Sequence, residues 1–160
     1  MNIRPATSND QDAIWHIMQP IIVQGDSYVY DPTLSKQEAL ADWMGPDNTC
    51  YVAEKDNEIV GSYILKPNKP GLGAHIANAS FMVKQQAKGQ KVGLTMGQHA
   101  LEKAKEEGFH AMQFNMVVAT NKAAIALWKK LGFIVIGTIP DGFNQTGRGY
   151  VDAFIMYKKL

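Results

Sequence analysis

Apolar residues recur along this chain with two different periods, and the switches between them outline its elements. Ala13, Ile14, Ile17, Met18 and Ile21 fall three and four apart, which places them on one face of a helix. Ser8 or Asn9 can cap that helix, Asp10 and Asp12 suit its first turn, and Gly25-Asp26 ends it. Ser35 to Glu38 spells a capping box. It opens a short second helix with Leu40, Trp43 and Met44 facing inward, stopped by Gly45-Pro46. Ala124, Leu127, Trp128 and Leu131 make a third apolar stripe behind Asn121, a good N-cap, and Gly132 terminates it. Elsewhere the period is two. Residues 49–54 and 58–65, joined by Lys55-Asp56-Asn57, predict a hairpin. Residues 74–83, 111–118, 133–139 and 150–158 predict four more strands, and 2–6 a short one that Pro5 pushes to an edge. Breaks in regularity are expected at 45–48, 66–73 and 140–149. The predicted order is β, α, α, β, β, β, loop, α, β, α, β, β, a mixed α/β (α+β) chain.

A few positions break the pattern. In 74–83, Ile76, Asn78, Ser80 and Met82 share one face, with His75, Ala77, Ala79, Phe81 and Val83 on the other. Asn is depleted in strands and wants a partner when buried. Asn115, beside Gln113, is a second polar residue in an apolar strand. Asp152, the one acid of the last strand, reads as edge exposure. Tyr28 and Tyr30, in the loop between the first two helices, either wall a small-molecule pocket or pack the loop down. After Val83 the chain runs through Lys88, Gly89, Gln90, Lys91 and Val92 to Gly93, which opens a helix with Leu94, Gly97, Leu101 and Ala104 on one face and Met96 and Ala100 alongside. Unpaired N–H groups and the helix dipole make such a turn an anion site, and the two lysines add charge. An ordinary strand-to-helix turn reads equally well. Gly97 costs about 1 kcal/mol inside a helix, so a close approach to the sheet is expected there.

Composition narrows the class. The 160 residues suit one domain spanning 1–160. With 46% hydrophobic and 19% charged residues, the chain has a globular composition. A net charge of +1 points to neither nucleic acid nor an acidic membrane as a bulk partner, so anion affinity must be local. The start, MNIRPATSNDQ, has no apolar signal-peptide core, and no run is long enough to span a bilayer. Cys50 is alone, in an apolar run, and reads as a buried small hydrophobe in a reducing compartment; a cytoplasmic location is expected. No Cys or His cluster has ligand spacing, so no metal is expected.

The two capped stretches belong together. Lys88-Gly89-Gln90-Lys91-Val92-Gly93 resembles the acetyl-CoA loop, Q/R-x-x-G-x-G/A, of the GCN5-related N-acetyltransferase (GNAT) family. Asn121, Ala124, Leu127, Trp128, Gly132 and Phe133 resemble that family's N-x-x-A-x-x-L-Y-x-x-x-G-F helix, and the element order matches over essentially the whole chain. The resemblance implies the GNAT fold: a central mixed, mostly antiparallel sheet of about seven strands with four helices, its fourth and fifth strands splayed around the cofactor. It implies direct transfer of an acetyl group from acetyl-CoA to an amine, with no metal, and a homodimer. The residues from Gly89 to Gly93 would hold the pyrophosphate, and backbone N–H groups of Met82 and Val83 would bind pantetheine and polarise the acetyl carbonyl. The match looks closer to a small-molecule branch acting on proline analogues. That branch implies acceptor binding at Asn78 and cofactor contacts at Asn115 and Asn121. Asn78 and Asn115 are the catalytic candidates, with Tyr28, Tyr30 and Tyr150 lining the acceptor. There are two departures. Lysine replaces both the usual Gln or Arg, at Lys88, and the first glycine of the pattern, at Lys91. Trp128 stands where the family often has a tyrosine thought to protonate the leaving thiolate; an indole N–H is too weak an acid for that, so Trp128 is left with cofactor contact. No Glu lies between Glu58 and Glu102 to act as base. Water anchored by Asn78, Ser80 or a loop tyrosine is expected to serve instead, with His75 a lesser candidate. Acetylation of a protein or peptide amine, and a non-catalytic acyl-CoA sensor, are the competing readings.

Overall fold

A computed structural model describes residues 1–160. Its strands are β1 (Asn2–Pro5), β2 (Thr49–Lys55), β3 (Glu58–Pro67), β4 (Ile76–Val83), β5 (Ala111–Val118), β6 (Ile134–Gln145) and β7 (Gly149–Lys159). Its helices are α1 (Gln11–Gln24), α2 (Lys36–Trp43), α3 (Val92–Glu106) and α4 (Lys122–Lys130). Asp56 and Asn57 both hold a left-handed backbone, φ 52° and 62°. A tight two-residue hairpin needs that conformation at both positions, and β2 and β3 pair antiparallel from it. β1 and β4 extend the pair on either side, also antiparallel. β5, β7 and β6 form a second antiparallel group. The seven strands lie in one sheet, β1-β2-β3-β4-β5-β7-β6. The two groups meet in a single parallel junction, Ile76↔Ala111 and Ala77↔Met112. Beyond those two pairs β4 and β5 separate. The expected mixed sheet with four helices and a splay between its fourth and fifth strands is what forms.

Strand alternation sends side chains to two cores. On one face Val52, Ile64 and Met82 lie under Ile14, Ile17, Met18, Ile22 and Trp43 of α1 and α2. The buried Trp43 Nε1–H donates to Ser62 Oγ at 2.9 Å, and that hydroxyl donates to the Tyr51 carbonyl at 2.9 Å. On the other face Tyr51, Tyr63, Leu65, Ala77 and Ala79 lie under α3 and α4. The deepest stripe of α3 is Val92, Met96, Ala100 and Ala104, while Leu94 and Leu101 stay half-buried. Ser35 caps α2 as its capping box predicts, accepting from Glu38 N–H at 3.3 Å.

Three expectations change. Residues 140–149 are mostly strand: β6 runs to Gln145, with Phe143↔Val151 and Asn144↔Tyr150 in register. Cross-strand pairing overrides the turn-forming Pro140 and Gly142, and the irregularity shrinks to a bulge between Ile139 and Phe143 and the turn before Gly149. Asp152 is exposed, but β7 is an inner strand and not an edge; its Oδ1 accepts the Asp141 N–H at 3.1 Å at the bulge. Gly97 approaches a helix, not the sheet. A Cβ there would stand 2.5 Å from Leu131 Cδ1 and 3.4 Å from Trp128 Cζ3, so the glycine lets α4 pack against α3.

Candidate active site

Where β4 and β5 part, a cleft of about 1000 Å³ opens through the sheet. Backbone direction decides what faces it. Lys84 N–H donates to the Val60 carbonyl at 2.9 Å, and Asn68 N–H to the Ile76 carbonyl at 2.7 Å. Backbone groups alternate sides along a strand, so even-numbered residues of β4 turn theirs toward β3. Ala79, Phe81 and Val83 turn theirs toward the gap that β5 has left. Val83 therefore stands where a ligand can use its N–H. Met82 does not: its backbone faces β3 and its side chain is buried in the α1–α2 core. The sequence pattern pointed at the right strand end, but a one-residue step reverses the hydrogen-bonding direction.

At one end of the cleft is the turn before α3. Gly89 and Lys91 take left-handed backbones, φ 81° and 63°. Lys88 N–H and Gln90 N–H close tight turns onto the carbonyls of Gln85 and Ala87. The N–H groups of Gly89, Lys91, Val92 and Gly93 have no carbonyl partner, and Lys88, Gly89, Lys91, Val92 and Gly93 line the cleft. Gln90 is the exception in this loop. Its side chain points away, accepting from Lys55 Nζ at 2.7 Å and donating to the Gln86 carbonyl at 3.1 Å. Lys122 and Lys130 of α4 also reach the cleft. Sequence reasoning missed both, since helical spacing only left them off the apolar stripe.

The expected asparagines all stand at the cleft, each already engaged. Asn78 Nδ2–H donates to the Gln113 carbonyl at 2.9 Å, directly above the last β4–β5 pair. It supplies a rung that the diverging backbones can no longer make. Asn115 is exposed; its amide donates to Asn68 Oδ1 at 2.7 Å and its oxygen accepts from Gln113 Nε2 at 3.0 Å. Asn68 had no sequence signal, because it comes from the Pro- and Gly-rich loop after β3. Asn121 caps α4, accepting from Ala124 N–H at 3.1 Å. Trp128 is buried against Phe81 and Phe114, with ring centroids 4.9 and 4.7 Å apart, and forms the apolar wall on the α4 side.

The loop after α1 closes the opposite end. Tyr28 enters the cleft, and its hydroxyl accepts the Phe81 N–H at 2.9 Å while donating to the Phe81 carbonyl. Its ring is stacked on Tyr30 and set edge-on to Trp43. Burial pushes its phenol well above the usual range. Tyr30 stands farther out, donating to Asp42 and lining a side cavity of about 210 Å³ with Gly25, Phe143 and Thr146. Tyr150 lines neither space; it is 72% exposed on the β6–β7 hairpin. Extension of β6 to Gln145 brings Phe143 and Gln145 to the site in its place, and Gln145 accepts from Thr120 Oγ1 at 2.6 Å. Asp26 also lines the cleft. His75 does not: it precedes β4, exposed, with Nδ1 on the Leu72 carbonyl at 3.1 Å. Cys50 is half-buried against Ser62, and burial pushes its thiol up to about 11, which suits an inert packing residue.

Comparison with known proteins agrees with this geometry. Residues 14–133 match the acetyltransferase (GNAT) family model. N-acetyltransferase aca1 of Schizosaccharomyces pombe is 35% identical over 111 residues, covering 69% of this chain and 53% of that protein. The chain thus spans about half the length of that curated relative. A GCN5-related N-acetyltransferase from Kribbella flavida superposes with a TM-score of 0.93 at 42% identity, over 99% of this chain and 97% of its own. yncA from Salmonella typhimurium, a putative acetyltransferase solved with its cofactor acetyl-CoA, shares the fold at a TM-score of 0.86 and 23% identity, over 100% and 94% of the two chains. A splayed β4–β5 junction, an N–H-rich turn ahead of α3 and a match over three quarters of the sequence have one explanation: the chain belongs to the GNAT family of acetyltransferases.

Proposed function

We propose that the protein transfers the acetyl group of acetyl-CoA directly to the amine of a small molecule, an amino acid or amino-acid analogue. The observation that carries this reading is the cleft itself, which joins an N–H-rich, lysine-flanked turn to an aromatic pocket through a gap in the sheet. The residues fit the nucleotide thioester. Four unpaired N–H groups, Lys88 and Lys91 suit a pyrophosphate. The free backbone edge of β4 at Ala79 and Val83 suits the amide-bearing pantetheine arm, which would take the place of a strand. Trp128 and Phe114 give that arm an apolar wall.

At the other end, Tyr28 and Phe143 bound a side cavity sized for a small amine, while Asn78 and Asn115 present polar groups to the main cleft, which shares Tyr28 and Val29 with it. Holding amine and thioester in one frame supplies much of the acceleration. The amine must be neutral to attack, and its proton leaves through water at the open mouth; no histidine lines the cleft. The lone, half-buried Cys50 accords with a reducing compartment such as the cytoplasm, and a homodimer is the expected assembly.

The deciding experiment offers acetyl-CoA and a panel of amines while free thiol is measured. Thiol release with amino acids or their analogues supports the reading. Release with peptides alone would move the function to protein acetylation. Tight acetyl-CoA binding without release on any amine would make the chain a sensor.

A further inference from the structure

The most constrained polar group in the cleft is not an asparagine but the Tyr28 hydroxyl. Strand pairing leaves Phe81 with an N–H and a carbonyl pointing into the gap. Phe81 is half-buried, and a backbone pair partly withdrawn from solvent calls for a partner. Elsewhere in a sheet the next strand would provide it. Here one phenol from the loop after α1 does both jobs, accepting from the N–H at 2.9 Å and donating to the carbonyl. The ring is held from two sides, by Tyr30 with centroids 6.1 Å apart and by Trp43 at 6.3 Å. Phe81 itself packs against Trp128 at 4.9 Å, on the wall where the family's usual tyrosine is missing. The cleft therefore has one phenol, on the acceptor side, at the depth where β4 is unpaired.

Resting on the acetyl-transfer reading above, we infer that Tyr28 is a catalytic residue, its hydroxyl the donor that holds the acetyl carbonyl oxygen. Phe81 N–H continues to donate to the phenol oxygen. As the thioester fills the gap, the phenol proton swings from the Phe81 carbonyl to the acyl oxygen, and the freed carbonyl accepts an N–H of the incoming amine. In the transfer, the amine nitrogen forms a bond to the carbonyl carbon and negative charge builds on the oxygen facing Tyr28. The carbon–sulfur bond then breaks and its electron pair leaves on sulfur. The proton lost by nitrogen goes to water in the cleft.

Tyr28 gives up no proton in this scheme. Burial, which pushes the phenol upward, disfavours ionisation while leaving a neutral O–H donor. Donation from the backbone N–H polarises that O–H further. With that swing completed on binding, the ring held by Tyr30 and Trp43 needs no further reorganisation as charge develops.

The test is isotope-edited infrared spectroscopy of bound [1-¹³C]acetyl-CoA, with kinetics beside it. In the wild-type protein the carbonyl stretch should fall below that of free acetyl-CoA. In Tyr28→Phe the downshift should be lost, and kcat should drop about 100-fold with acetyl-CoA KM nearly unchanged. A purely structural tyrosine would behave differently: Tyr28→Phe would lower Tm and raise the acceptor KM with the stretch unmoved, and that result would overturn the assignment. Should Tyr28→Phe fail to fold, 3-fluorotyrosine at position 28 keeps both hydrogen bonds and makes the phenol a stronger donor. The stretch should then fall further, and no change would again overturn it. A wild-type protein that binds acetyl-CoA with the downshift but acetylates no amine would defeat the proposed reaction, not the carbonyl contact.

Discussion

Lys91 shows how one residue can depart from a family pattern while the backbone follows the expected path. The pattern resembled at 88–93 has glycine at this position, and the chain still enters the left-handed region there, φ 63° and ψ 11°. A side chain in that region costs about 1 kcal/mol. The lysine keeps the turn and lines the same end of the cleft as Lys88. Lys91→Gly should separate these two effects. Thermal stability should rise by about 1 kcal/mol, roughly 3 °C for a chain of this length. Acetyl-CoA affinity should fall severalfold at low salt, with the loss shrinking as salt screens the missing charge. Calorimetry and titration at two ionic strengths check both, and an unchanged Tm would mean that the turn stores no strain. Gly89, with φ 81° and nothing within 4 Å of a built Cβ, is needed for conformation alone.

At the scale of elements, the tie between β1 and the start of α1 depends on Asp10. Its carboxylate, 6% exposed, accepts from both Arg4 Nη groups at 2.8 and 2.9 Å and from Thr7 N–H at 2.7 Å. The Arg4 hydrogen bonds, helped by Thr7, lower its pKa from 3.8 to about 2 against the opposing effect of burial. A carboxylate depressed on folding stabilises the fold above its unfolded pKa, and that contribution fades as pH falls through the folded value. Asp10 should thus contribute about 2 kcal/mol at neutral pH, lost between roughly pH 4 and 2. Asp10→Asn should be destabilised by a similar amount at pH 7 and converge on the wild type near pH 2. Urea titrations across that range would measure it; a difference independent of pH would rule out the ion pair as its source. The same element scale explains Gly97, where a weak helix former is the condition for α4 to lie close on α3.

Across the whole molecule, two antiparallel groups meet at only two parallel residue pairs, and the ligand gap is the consequence. Acetyl-CoA should therefore act as a missing strand. Hydrogen exchange should slow at the amides of Val83, Gly89, Lys91, Val92 and Gly93, while Met82, turned to β3, should change only with global stability. At a hundredfold excess over Kd the protein should gain about 2.7 kcal/mol; protection at Met82 equal to that at Val83 would contradict the strand polarity described here. Much of this architecture was legible in the residues. Apolar periods of two and of three to four outlined the strands and helices, Lys55-Asp56-Asn57 announced the first hairpin, and Asn121 announced the cap of α4. The turn from Lys88 to Gly93 was legible as one rich in unpaired N–H groups, because such groups at a helix start are a local property. The rest depended on partners distant in sequence. Pairing with β7 drew residues 140–145 into a strand, exchanged Tyr150 for Phe143 and Gln145, and gave Asp152 its bond. Asp26 reached the cleft, and Asn68 reached Asn115, from loops with no signal of their own. The sequence alone determined the order of elements, the two faces of each strand and the N–H-rich turn, since these follow from spacing and backbone chemistry within a few residues. Only the tertiary structure decided which backbone groups of β4 remain unpaired and that Tyr28 bonds them, because both depend on where β4 and β5 stop pairing.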